Sequence, residues 1–178
     1  MQKRKHIRFK DFDYTIGEYF VTICTDNREC YFGEIKSGKM HLSTIGLYLK
    51  EQIEKTAVLR ESEAEIPYYV IMSNHVHLIV FINSCSGDSV DMPVVSNTQT
   101  NADALGASLQ FGSQHSNLAS VIRGLKSAVT HFANENKIEF KWQPRYHEHI
   151  IRNYIEMNHL ADYIDQNPYN WASDEYND

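Results

Sequence analysis

His75 and His77 stand one residue apart in the run Ile71-Met-Ser-Asn-His-Val-His-Leu-Ile-Val-Phe81. The flanking residues are apolar and β-branched, the composition of a buried strand. Side chains alternate faces along a strand, so both imidazoles project from one face, close enough to share a divalent metal. The alternative is a pair of core histidines satisfied by hydrogen bonds, since buried polar groups without partners are costly. A second reactive group lies far downstream, in the run from Tyr154 to Asn167. There Met157, Leu160, Ala161 and Ile164 recur at i, i+3, i+4 and i+7 and form an apolar stripe. Tyr163 falls off the centre of that stripe, in line with Glu156, His159 and Asn167. Two neutral imidazoles and the Asn167 amide oxygen make a mixed nitrogen and oxygen donor set with open positions. Such a set suits Mg or Mn when phosphate oxygens complete the shell, with Zn the alternative. The Tyr163 phenol is a poor nucleophile at its ordinary pKa of about 10. Beside a metal that polarises a phosphodiester, it becomes able to attack phosphorus and form a phosphotyrosine. The plainer alternative is a border tyrosine with a wet hydroxyl.

These groups need a scaffold that brings strand and helix together. Residues 18–25 read as a strand ended by the turn formers Asp26 and Asn27. Residues 30–36 and 39–42 read as a hairpin around Ser37 and Gly38. A helix is expected from Ser43 or Thr44 to about Leu59, where Ile45, Leu49, Ile53 and Ala57 recur every four residues. Strands 64–72 and 75–82 follow, joined by the tight turn Ser73-Asn74. Residues of about 83–117 are rich in Ser, Asn, Gln, Thr and Gly and read as a polar mobile insertion. Leu118 to about Asn136 is helical, with Val121, Ile122, Leu125, Val129 and Phe132 as its apolar stripe. An extended segment, 140–151, leads into the last helix, about 153–167, which Pro168 stops. This order predicts a single α+β domain over residues 1–178: an antiparallel sheet with helices packed mainly on one face, ferredoxin-like or RRM-like.

The chain of 178 residues carries 17 Lys and Arg against 23 Asp and Glu, a formal net charge of −6. Five of those cations, Lys3, Arg4, Lys5, Arg8 and Lys10, lie in the first ten residues, which hold no acid. A basic arm of about residues 1–12 on an acidic body can contact phosphate locally, although a solvated terminus is the competing reading. No apolar run is long enough to span a membrane, and the charged start is not a secretory signal. Cys24, Cys30 and Cys85 are odd in number and follow no metal-binding spacing. Reduced thiols in a cytoplasmic protein are the expectation.

Tyr154 is the rival nucleophile. It lies nine residues before Tyr163 on the same helix, so it points elsewhere, with no amide or histidine one turn after it. His147 and His149 form a second pair sharing a face with Arg145, read as a polar surface strand. Arg145 and His149 are weaker candidates for substrate contact, as are Arg123 and Lys126, which lie off the apolar stripe of their helix.

Three stretches together resemble the single-tyrosine HUH transposases of the insertion-sequence-200-like group, and most closely the REP-associated tyrosine transposases. They are residues 69–78 around the histidine pair, residues 142–153 (Trp-Gln-Pro-Arg-Tyr-His-Glu-His-Ile-Ile-Arg-Asn), and residues 162–168 (Asp-Tyr-Ile-Asp-Gln-Asn-Pro). Residues 18–25 are also typical, and the resemblance spans most of the chain outside 83–117. It implies a ferredoxin-like fold, His75 and His77 as metal ligands, Asn167 in the place of the third ligand, and Tyr163 as nucleophile. It further implies an endonuclease and transposase that cleaves and rejoins single-stranded DNA beside a hairpin through a 5′-phosphotyrosine, as a monomer or homodimer. The basic arm, Lys3, Arg4, Lys5 and Arg8, matches a region that relatives use to hold DNA. Two rivals remain: a non-catalytic single-stranded nucleic-acid-binding module of the same fold, and a phosphodiester hydrolase using metal-bound water.

Overall fold

The computed structural model describes residues 17–60, 63–83 and 117–177. The basic arm and nearly all of the expected insertion lie outside the described residues. The elements are β1 (Gly17–Cys24), β2 (Gly33–Lys36), β3 (Lys39–Leu42), α1 (Thr44–Leu59), β4 (Ala64–Ile71), β5 (His75–Ile82), α2 (Leu118–Glu135), β6 (His147–Ile150) and α3 (Tyr154–Gln166). Single 3-10 turns, Asp26–Arg28 and Trp171–Ser173, follow β1 and α3.

Four strands form one sheet in the order β4-β5-β1-β6, with every neighbouring pair antiparallel. β1 and β4 therefore run parallel with β5 between them, and α1 is the crossover. The same unit repeats from β5 through α2 to β6, the split βαβ pairing of a ferredoxin-like fold. The β2–β3 hairpin stands apart as its own two-stranded sheet. The expected strand over 140–151 is shorter than its sequence suggested. Only His147–Ile150 pairs with β1, preceded by an isolated bridge between Thr25 and Trp142. Arg145 between them has a positive φ of 70°, which breaks the extended run.

Side-chain alternation sorts the sheet into two faces. Tyr19, Val21 and Ile23 of β1 and Val76, Leu78, Val80 and Ile82 of β5 pack against α1 and α2 through Leu49, Ile53, Ile122, Leu125 and Val129. The opposite face carries Phe20, Val70, Ile79 and Phe81, and it receives Met157, Leu160, Ala161 and Ile164 of α3. Two helices thus share one face, as expected, while the third covers the other. The reason is visible in β5, whose residues are buried on both faces apart from a half-buried Phe81. A strand apolar on both sides must be covered twice.

Each helix start is fixed by a side chain that satisfies an otherwise unpaired backbone N–H. Ser43 Oγ accepts from Gly46 N at 3.1 Å, Asn117 Oδ1 from Ser120 N at 2.9 Å, and Asn153 Oδ1 from Glu156 N at 2.9 Å. The last of these matters most for function, because it sets where α3 begins over the second face and hence where Tyr163 and Asn167 fall.

Candidate active site

His75 and His77 lie on β5, a central strand, and point to the face covered by α3. Both are essentially buried. Their Nε2 atoms converge to 3.0 Å. Each Nδ1 is occupied behind the ring: His75 Nδ1 meets Asn74 Oδ1 at 2.8 Å and His77 Nδ1 meets Thr22 Oγ1 at 2.8 Å. Asn74 Nδ2 donates to the carbonyls of Arg28 and Tyr176, so its Oδ1 is the acceptor and His75 carries its hydrogen on Nδ1. That tautomer aims a lone pair from Nε2. If Thr22 accepts from His77 in the same sense, two lone pairs face one small volume, a repulsive arrangement that a cation relieves. Register explains Thr22: it is the cross-strand partner of His77, on the same face. Phe20, two residues earlier, stacks on the His77 ring at 5.1 Å and 23°.

Burial keeps both imidazoles neutral. It lowers the pKa of His77 to about 3. His75 falls to about 2 through burial, with the neighbouring His77 and Arg28 adding to it. Neutral imidazoles are the form that binds metal.

Tyr163 comes from the opposite layer. Its hydroxyl lies 3.4 Å from His77 Nε2, and its ring meets His77 edge-on at 5.3 Å. It is 40% exposed. Its pKa is pushed up to about 12, first by burial and then by the Asp174 carboxylate, while the Asn167 amide opposes the shift. Asn167 caps the C-terminus of α3 and is only 1% exposed. Its Nδ2 donates to Asp174 Oδ2 at 3.1 Å, and its Oδ1 is buried with no hydrogen-bond partner. Buried polar atoms are almost always paired, so an orphaned carbonyl oxygen on a residue that lines the same cleft as His77 and Tyr163 is a candidate ligand atom. The residues present therefore fit a divalent cation, with His75, His77 and Asn167 as the groups that could hold it.

His77, Tyr163, Asn167, Phe20 and Thr22 line one cleft of about 560 Å³. Its far wall is the C-terminal segment, which the sequence reading did not place in the site. Asp174, Glu175 and Tyr176 line the cleft, and the Tyr176 ring stands 4.5 Å from His75. This segment is tied down by Asn74 Nδ2 on the Tyr176 carbonyl at 2.7 Å and by Arg28 Nη1 on the Glu175 carbonyl at 2.8 Å. Only aromatic and acidic residues close behind Pro168 hinted at it.

The other candidates fall elsewhere. Tyr154 is 78% exposed and does not line the cleft. Arg123, Lys126 and Arg145 gather with His131 along a separate groove of about 1030 Å³ between α2 and residues 142–146. Within it Lys126 Nζ donates to the carbonyls of Gln143 and Arg145 at 2.7 and 2.9 Å. His149 is not part of that groove; its Nε2 pairs with Glu156 Oε1 at 2.6 Å. Cys24 and Cys30 are free thiols, one buried and one exposed, so no disulfide joins them. Among the described residues no helix is long and apolar enough to cross a membrane. Lys3, Arg4, Lys5 and Arg8 lie outside the described residues.

No protein-family profile matches the chain. A protein of Haemophilus influenzae, described only as uncharacterized, is 34% identical over 174 residues, covering 97% of this chain and 92% of its own length. Among solved structures, a REP-associated tyrosine transposase bound to a REP hairpin aligns with a TM-score of 0.57 at 22% identity, over 93% of this chain and 74% of that one. The chain therefore belongs to the same family as the Haemophilus influenzae protein, and it is built on the fold of a REP-associated tyrosine transposase.

Proposed function

We propose that this protein is a single-strand DNA endonuclease and transposase that cuts and rejoins DNA at hairpin-associated sites through a 5′-phosphotyrosine on Tyr163. The observation that carries the reading is the convergence of two neutral imidazole Nε2 atoms at 3.0 Å with a phenol hydroxyl 3.4 Å from one of them. His75, His77 and Asn167 would hold a divalent cation, Mg or Mn. When bound, such a cation polarises the phosphodiester oxygens and stabilises charge developing in the transition state.

The chain's own residues do the rest. Thr22 and Asn74 hold the imidazoles by Nδ1 and keep their Nε2 atoms turned toward each other. Phe20 stacks on the His77 ring, and Tyr163 meets both rings edge-on with its oxygen 3.4 Å from His77 Nε2. In the cleavage step the Tyr163 oxygen forms a bond to phosphorus as the bond from phosphorus to the 3′-oxygen breaks. The phenol gives up a proton and the departing 3′-oxygen takes one, so the step is neutral in protons. The phosphotyrosine keeps the phosphoester linkage, and a 3′-hydroxyl attacking it rejoins the strand. Burial that raises the phenol pKa makes the ground-state phenolate scarce, so charge stabilisation at the transition state has to supply most of the activation.

The DNA would also be held away from the chemistry. Arg123 and Arg145 on the groove beside α2, with Lys126 and the basic arm, are the candidate phosphate contacts. His149 is a weaker one, being engaged with Glu156.

The test is a covalent-adduct assay on single-stranded hairpin DNA with Mn or Mg. Wild type and Tyr154→Phe should form a denaturant-resistant adduct, and Tyr163→Phe should lose it by at least about a hundredfold. Strand cleavage that persists without any adduct would instead favour attack by water, and DNA binding that ignores both metal and His75 would favour a non-catalytic module.

A further inference from the structure

Asn167 can offer a cation its amide oxygen or present the wrong end of the same group, its NH2. The choice is not left to chance. Asp174 Oδ2 accepts from Asn167 Nδ2 at 3.1 Å. A carboxylate only accepts, so the nitrogen must face Asp174 and the oxygen must face away. That oxygen is the buried atom without a partner. The other carboxylate oxygen of Asp174 accepts from the Tyr176 backbone N–H at 2.7 Å, which fixes the carboxylate itself. Asp174 lines the same cleft as His77, Tyr163 and Asn167.

We infer that Asp174 is a positioning residue for the cation site, orienting the Asn167 amide so that its oxygen, not its nitrogen, is the donor offered to a divalent metal. The arrangement is to an amide ligand what a carboxylate behind a metal-bound histidine is to an imidazole: it fixes orientation and makes the donor atom more basic. Thr22 and Asn74 do the same for the two histidines, so each of the three donors would have a partner that fixes its orientation. The inference rests on the proposed cation site, and it assigns a role to a residue on the C-terminal segment that the reaction itself does not require.

The measurement is Mn2+ affinity of the full chain by isothermal titration, with electron paramagnetic resonance of free Mn2+ as a second readout and thermal melting as a check on folding. Asp174→Ala should weaken Mn2+ binding by roughly 10- to 100-fold. Asp174→Asn, whose amide oxygen can still accept from Asn167, should recover part of it. In an Asn167→Ala background, Asp174→Ala should change Mn2+ affinity by less than about twofold, because its effect passes through Asn167. Equal Mn2+ affinity in wild type and Asp174→Ala would overturn the inference while leaving the cation site intact. An undiminished Asp174→Ala loss in the Asn167→Ala background would also overturn it, since Asp174 would then act on the metal directly. Wild type that takes up no Mn2+, or His75→Ala and His77→Ala proteins that take up as much as wild type, would overturn the cation site itself. If Asp174→Ala melts too low to titrate, Asp174→Leu, close in size to Asp and without an acceptor, takes its place with the same criteria.

Discussion

At the scale of residues, the site is a set of buried polar groups, each held in orientation by a neighbour. The histidine pair was legible in the sequence because strand alternation alone puts residues two apart on one face. Tyr163 and Asn167 were legible because helical spacing sets them off the apolar stripe. Thr22 was not, since its role depends on the register that sets it opposite His77, and register is a tertiary property. The neutral state of the histidines has a consequence for stability. Their folded pKa values, about 2 and about 3, lie below the unfolded value near 6.5, so the unfolded chain takes up protons first as pH falls. The stability contributed is complete above about pH 6.5 and is lost as pH drops from there toward the folded values. Metal-free protein should therefore lose up to roughly 1.4 kcal/mol per pH unit for each histidine below about pH 6. Urea unfolding from pH 7.5 down to 4.5 checks this: His77→Asn should show a shallower fall than wild type, and parallel curves would contradict it.

At the scale of elements, the shape of the candidate site depends on how firmly α3 and the segment after it are seated. The helices, the hairpin and most strands follow from capping residues, apolar periodicity and turn chemistry, and they fall close to where the sequence predicts them. The path after Pro168 does not, because its packing uses partners scattered over the chain. Gly38 shows why. It sits at the β2–β3 turn with a φ of +71°, and a Cβ there would come within 2.7 Å of the Tyr169 ring. The hairpin tip thus docks on the start of the C-terminal segment only because it lacks a side chain. Gly38→Ala should destabilise the fold by about 1–3 kcal/mol through the backbone conformation and the clash together. Thermal or urea melts of Gly38→Ala with and without Tyr169→Ala separate the two causes. The double variant should regain the part due to the clash and keep the part due to φ.

At the scale of the whole molecule, the sheet separates the two candidate sites. One face, under α3, holds the histidines and the tyrosine. On the other, beside α2, Arg123, Lys126 and Arg145 line a groove with no acidic side chain among its lining residues. That Arg123 and Arg145 line one groove was not legible in the sequence, since they lie far apart in the chain and only tertiary packing brings α2 beside residues 142–146. If the groove holds a DNA backbone, Arg123→Ala with Arg145→Ala should weaken hairpin binding at every sequence alike. It should also reduce the slope of log affinity against log salt by about 1 to 2, read from binding isotherms over a salt series. Tyr163 should be untouched by that change: a saturating DNA concentration should restore adduct formation. The central claim, that Tyr163 becomes covalently linked to DNA, is tested most directly by isolating the adduct, digesting protein and DNA, and sequencing the modified peptide by tandem mass spectrometry. The account predicts a nucleotide 5′-phosphate on Tyr163 alone; the same modification on Tyr154 or Tyr176, or nicked DNA with no modified peptide, would contradict it.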